Sequence, residues 1–211
     1  MINRVFIILS LIVVLIKVSY PQENRIIFEI KAGVSYIPMW EQHNLWSTLP
    51  NVKQYFPSFN SKFLVGYNFN SEHSLRLAIG YIESKVEASS INRKVDWNYK
   101  GYPLSLIYQY NIYSLSDILK PYLLGGISFY WSEVEQNVEG SIERLYDGKR
   151  NETGLGLEGG IGLSIKLLNN LNMLSEFQLR ISNASIFSED SKYFSIEFTG
   201  IYFQLGLGYS L

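Results

Sequence analysis

Few residues in this 211-residue chain are equipped for chemistry. Cysteine is absent, which excludes a disulfide framework, a thiolate metal site and a cysteine nucleophile. The two histidines are His43 and His73. His73 borders a short polar turn and reads as solvated, and His43 has only scattered carboxylates around it, too few for a metal site. Gly154-Leu-Gly156-Leu-Glu-Gly159 fits the spacing of a dinucleotide loop. That chemistry needs a helix N-terminus behind the glycines, to meet pyrophosphate. Here a strict alternation runs through them to Leu167, so no helix can start and no cofactor is expected. What remains is a set of polar and ionisable residues, each on the opposite strand face from large apolar ones: Glu29, Lys31, Lys62, Arg76, Glu158, Lys166, Glu176, Gln178, Arg180 and Gln204. Such a set can do one of two things. It can line an ion pathway, or it can pair with itself as a polar core. The second is the expectation, and no catalytic residue is assigned.

The elements that must hold these residues are strands. From Ile201 every second residue is large and apolar: Ile201, Phe203, Leu205, Leu207, Tyr209, Leu211. This is the period of a strand with two unlike faces. The same pattern recurs over Ile26 to Tyr36, Lys62 to Phe69, Leu75 to Tyr81, Tyr102 to Ile112, Pro121 to Trp131, Gly154 to Leu167 and Met173 to Ser182. The count is eight, and the last strand is expected to close against the first. Connections alternate long and short, so all the long ones fall at one end. The long ones are read as loops: Ile37 to Asn60, which contains Pro38, Pro50 and Pro57; Glu83 to Asn98; the acidic Glu133 to Asn151; and Asn183 to Ile196. Proline argues against a central strand in the first of these. Its aromatics Trp40, Trp46, Tyr55 and Phe56 are candidate contact residues for an outside ligand.

Near the start, Arg4 precedes an apolar run from Val5 to Ile16, ended by Lys17. The run is too short to span a bilayer as a helix. It reads as a secretory signal peptide over 1–20, with a mature domain over 21–211. The chain carries 18 Lys+Arg against 19 Asp+Glu, which excludes the basic face of a nucleic-acid binder. Its 16 Tyr, 12 Phe and 4 Trp suit rings placed between a wet and an oily phase.

Alternation alone does not say which face is outside, and a soluble lipocalin-type barrel would put its apolar face inward. Three features favour apolar outside. The other face is rich in glycine, as a crowded small lumen requires. It carries ionisable groups of both signs, which can pair there. Aromatics stand at the ends of the apolar rows: Tyr36, Tyr81, Tyr102, Trp131 and Tyr209. Leu163, Phe203, Leu205 and Leu207 are then lipid-facing. The expectation is an all-β, eight-stranded, antiparallel up-and-down transmembrane barrel.

The strands PYLLGGISFYW at Pro121 to Trp131 and GLGLEGGIGLSIKL at Gly154 to Leu167 resemble those of the outer membrane protein beta-barrel domain group, of OmpA/OmpX type. The resemblance implies export by the Sec route, insertion by the barrel assembly machinery and residence in the outer membrane of a Gram-negative envelope, in contact with its lipid. Final strands of such proteins usually end in Phe or Trp, and this one ends in Leu211. A structural or surface-interaction role through four long outer loops follows, with an extracellular ligand or envelope partner. The runner-up is a narrow porin-like channel. A third reading is an outer-leaflet lipid-modifying enzyme using His43 with Ser89 or Ser90.

Overall fold

The structure is a computed structural model that describes residues 26–38, 51–90, 93–112, 116, 118–139, 148–183 and 197–211. It is a closed antiparallel barrel of eight strands in sequence order. The strands are β1 (Ile26–Tyr36), β2 (Asn51–Asn68), β3 (His73–Ser90), β4 (Arg93–Asn111), β5 (Leu119–Glu139), β6 (Gly148–Lys166), β7 (Leu171–Asn183) and β8 (Gly200–Ser210). Each pairs with its neighbour in sequence, and β8 returns to β1 from Ile27↔Ser210 to Tyr36↔Ile201. Closure leaves no edge along that seam, which is what allows a sheet to stand in hydrocarbon, where an unpaired amide costs several kcal/mol. The segments 1–25, including the expected signal peptide, lie outside the described residues.

The apolar rows face out. Ile30, Leu77, Ile79, Ile127, Leu157, Ile161 and Ile181 are all more than half exposed. The intervening residues are buried inside. Side-chain parity follows the pleat and holds along every strand.

The short connections are turns with local bonds. The Asn70 carboxamide oxygen accepts from the amides of Glu72 (2.9 Å) and His73 (2.8 Å). This Asx geometry suits a tight turn between strands. Leu168 and Leu171 exchange backbone bonds across the β6–β7 hairpin.

The other end departs from the sequence expectation. Three of the segments read as loops contain stretches of strand, and residues 184–196 of the fourth lie outside the described residues. β3 runs on to Ser90 and β4 begins at Arg93, paired Ser90↔Arg93. β5 and β6 stay paired out to Gln136↔Gly148. β2 begins at Asn51, so Tyr55, Phe56 and Pro57 lie in a strand. Proline is accommodated there for a visible reason. β1 stops pairing with β2 at Ser35↔Ser58, and the β2–β3 register shifts between Tyr55 and Phe59. Pro57 therefore sits at a bulge, beside a neighbour that has ended, where no ladder bond is lost. As a result β2 to β6 have 18–21 residues, whereas β1, β7 and β8 have 11–13. A membrane strand needs about 9–11. Five strands thus rise beyond the three that stay short.

Candidate functional site

The lumen holds a continuous network of buried charges. Lys31 Nζ lies 2.6 Å from Glu29 and 2.5 Å from Glu176. Arg76 pairs with the other oxygen of Glu29. Glu176 also accepts from the Tyr122 hydroxyl (2.7 Å) and from the Gln178 amide (2.6 Å). A second centre forms on Glu158, which takes Lys62 at 2.6 Å, Arg180 at 3.2 Å and the Ser128 hydroxyl at 3.2 Å. Gln178 joins the two centres, because its nitrogen donates to Glu176 (2.6 Å) while its oxygen accepts from Lys62 (3.3 Å) and from Arg180 (3.0 Å). Gln204 donates to Asn60. The Arg180 guanidinium lies 4.1 Å from the Tyr202 ring centre, a further contact for its charge. Charges out of water survive only when paired, and each of these has an ion-pair partner.

Nine of the ten expected lumen residues are buried: Glu29, Lys31, Lys62, Arg76, Glu158, Glu176, Gln178, Arg180 and Gln204. Lys166 is the exception. It is exposed at the end of β6, beside the turn, where its chain neighbours Leu167 and Leu168 are exposed too. The inward parity is right but the strand runs out before the lumen is reached. Asn60, Tyr122, Tyr130 and Tyr202 belong to the interior as well, and the sequence pattern does not single them out. Asn60 falls within an expected loop, and the tyrosines lie on the inward parity of their strands without standing out from it.

Glycines on the inward face make room for these groups. A Cβ at Gly206 would stand 2.6 Å from Lys31 Cγ, and one at Gly33 would stand 2.8 Å from Gln204 Cα. Gly162 lies under the Tyr122 ring.

Above this layer the polarity of the two faces reverses. On β3 the outward row runs Leu75, Leu77, Ile79, Tyr81 and then Glu83, Lys85, Glu87. The inward row runs Ser74, Arg76, Ala78, Gly80 and then Ile82, Ser84, Val86. β4 and β5 reverse at Tyr102 and Trp131. Beyond those rings Val95, Trp97, Tyr99 and Val134 are buried, together with Ile37 and Phe198. Tyr130 and Phe198 stack at 5.9 Å. Apolar outside and polar inside becomes polar outside and apolar inside. Water replaces hydrocarbon at that level. Aromatic rings stand at that boundary: Tyr36, Tyr102 and Trp131 are exposed, and Tyr81 is half-buried against Phe59 and Tyr102. Tyr209 stands at the opposite end of the barrel from the other four.

The outward face above the rings is a mosaic of opposite charges. Lys149 lies 2.6 Å from Glu133, Lys100 lies 3.8 Å from both Glu133 and Glu135, and Lys85 lies 3.5 Å from Glu83. Burial pushes the Glu83 carboxyl up, but the hydrogen bond from Tyr81 and the Lys85 charge outweigh it and hold it below the usual range. The bond to Glu133 raises Lys149. Glu152, next to the segment read as an acidic loop, is buried on the inward side of β6.

His73 is not simply solvated. Its Nδ1 is 2.5 Å from the Tyr108 hydroxyl, and its ring packs between Tyr108 and Tyr110 at 5.9 and 5.3 Å. The cross-strand pair His73↔Tyr110 produces this contact and is invisible before register is known. The outward rows include Leu163, half-exposed, and Phe203, Leu205 and Leu207, exposed. Trp40, Trp46 and His43 lie outside the described residues, as do the side chains of Tyr55, Phe56 and Ser90; Ser89 is exposed. Gly154 to Gly159 lie within β6. Among the described residues no three histidine or carboxylate side chains converge as metal ligands.

Among solved structures, Neisserial surface protein A is similar, with 15% identity and a TM-score of 0.51, over 88% of this chain and 96% of that one. A major outer membrane protein of Thermus thermophilus is similar too, with 12% identity and a TM-score of 0.55, over 88% and 99%. At these identities the likeness is one of fold. No curated protein matches the sequence. The family model for the outer membrane protein beta-barrel domain matches residues 8–210, and with the lipid-suited outer face, the paired lumen and the ring boundary this chain belongs to that family of transmembrane outer-membrane barrels.

Proposed function

We propose that the protein is a non-conducting, non-catalytic outer-membrane barrel with a structural and surface-interaction role. Its working part is the sheet that β2 to β6 raise above the membrane. The observation that carries this is the reversal of polarity at Tyr81, Tyr102 and Trp131. Below it, strands satisfy lipid; above it, the same strands build a water-exposed charged face over an apolar core. A chain that only had to sit in the membrane has no use for those added lengths of sheet. The face bears carboxylates and ammonium groups in alternation, suited to an envelope component or extracellular ligand with charges of both signs.

The channel reading is less well supported. The interior layer is ion-paired throughout, and Tyr130, Tyr202, Phe198 and Ile37 are buried above it. An eight-stranded barrel has an interior just wide enough for side chains. On this proposal the chain reaches the outer membrane by Sec export, loses residues 1–20, and is inserted by the barrel assembly machinery.

The test compares three proteins in cells that lack the native chain: the whole protein, a form with 84–99 replaced by a short turn, and Glu158→Ala. The whole protein should restore resistance to bile salts and large antibiotics, and the shortened form should insert yet fail to do so. Purified whole protein should give no steps in planar bilayers. Steady conductance from the unaltered protein, abolished by Glu158→Ala, would instead establish the channel.

A further inference from the structure

The seam between β1 and β8 poses a problem that the outer face does not solve. Its outward pairs are Phe28↔Tyr209, Ile30↔Leu207, Ala32↔Leu205, Val34↔Phe203 and Tyr36↔Ile201. All are apolar. A slip of one residue would turn every side chain to the wrong face and is forbidden by the alternation. A slip of two keeps every face correct and leaves apolar residues opposite apolar residues. The hydrophobic pattern therefore does not choose the register at which the barrel closes.

The inward row does. Its three middle pairs are Glu29↔Gly208, Lys31↔Gly206 and Gly33↔Gln204. In each, one large polar residue faces one glycine, and the order switches strands between the second and third. Space explains this: a Cβ at Gly206 would meet the Ile30 carbonyl oxygen and the Lys31 stem, and a Cβ at Gly33 would meet the β8 backbone at Phe203 and Gln204. The long side chains use the gaps. Lys31 leaves β1, crosses β8 over Gly206 and ends 2.5 Å from Glu176 on β7. Gln204 leaves β8, crosses β1 over Gly33 and ends on Asn60 of β2. These are reciprocal straps, each spanning the neighbouring strand of the seam. Sliding β8 by two residues one way puts Lys31 opposite Gln204, two long side chains without a gap. Sliding it the other way puts Gly33 opposite Gly206, a gap without a side chain, and carries Gln204 away from Asn60.

We infer that Lys31 with Gly206, and Gln204 with Gly33, form a two-way latch that selects the closing register of the barrel. The latch is a device of assembly: it acts when the last strand meets the first.

The absence of native cysteine makes the register directly readable. Paired cysteines at Ala32 and Leu205 report the native register, and pairs at Ala32 with Leu207, or Ala32 with Phe203, report the two slips. In the otherwise unaltered chain, refolded in detergent micelles and oxidised, only the first pair should form a disulfide. In a Lys31→Ala/Gln204→Ala background, slipped disulfides should rise about tenfold relative to the native one, as befits losing the charged bond of Lys31. Only molecules showing the compact gel migration of a closed barrel are counted. Lys31→Met keeps the stem over Gly206 and should slip less than Lys31→Ala. Should the double variant not close, Gln204→Ala alone carries the comparison, with the Ala32–Phe203 disulfide expected to rise, because removing Gln204 removes what Lys31 would meet in that register. Closed barrels of the double or single variant that form only the Ala32–Leu205 disulfide would overturn the inference.

Discussion

At the scale of residues, the interior is a set of dependencies. Glu158 serves two cations at once, Lys62 and Arg180. Glu158→Ala strands both in a dry lumen, so it should cost about 3–5 kcal/mol in urea unfolding from micelles, as removal of one buried partner does. Glycines differ in the same concrete way. Gly162→Ala drives a methyl into the Tyr122 ring and should cost about 1–3 kcal/mol. Gly159→Ala should instead be neutral or stabilise by about 0.4–1 kcal/mol, since its Cβ would meet nothing nearer than 3.8 Å. The same unfolding series measures both. Outside the membrane, Glu83 gives a pH prediction with a definite sign. Its folded pKa is depressed, so the stability it lends is present at neutral pH and is lost as pH falls through the folded value. The carboxyl carbon shift of Glu83 should titrate below an ordinary glutamate, and Tyr81→Phe should move that midpoint upward.

At the scale of elements, the eight strands and their faces are legible in the sequence because lipid and lumen impose opposite chemistry at a period of two. Ile161, on the outward row of β6 near its middle, is 58% exposed. Ile161→Arg should destabilise the inserted barrel by about 2–4 kcal/mol, the cost of a charge near the bilayer midplane, and shift its heat-modifiable migration to lower temperature. What is not legible is where strands end. The segment Glu83 to Asn98 alternates as regularly as the rest, with Ser84, Val86, Val95 and Trp97 on one face and Glu83, Lys85, Asp96 and Asn98 on the other. It reads as a loop because the apolar residues have changed faces. Periodicity is intact and only its phase has moved, since the solvent outside the sheet has changed from lipid to water. Pro57 misleads in a related way. It is a strand breaker only where a neighbour needs its amide, and β1 has already ended there. Lys166 fails for the converse reason: its face is right, but the strand end exposes it. Pairings such as Lys31 with Glu176, 145 residues apart, depend on shear and closure, which no local pattern encodes.

At the scale of the whole molecule, the barrel divides into three layers: a turn-bounded base, an ion-paired middle and an apolar outer core. The layers make different demands on the same eight strands, and the family fold meets them by changing side chains at constant parity. The whole-molecule expectation is therefore dissociable failure. Shortening the hairpin over 84–99 should leave insertion and thermal stability of the membrane part intact while abolishing envelope protection. Disturbing the middle layer should do the reverse, lowering stability while leaving the outer face folded in whatever fraction inserts. Gel migration and antibiotic survival of the same strains separate the two.

The unequal strands have one more consequence. Because β2 to β6 rise and β7, β8 and β1 do not, the molecule has a front and a back when viewed in the plane of the membrane. A neighbour diffusing toward β4 meets a charged wall standing in the headgroup layer and beyond. One approaching β8 meets hydrocarbon and, among the described residues, a strand that ends near Ile201. Encounters in a crowded membrane are then sorted by bearing as well as by distance.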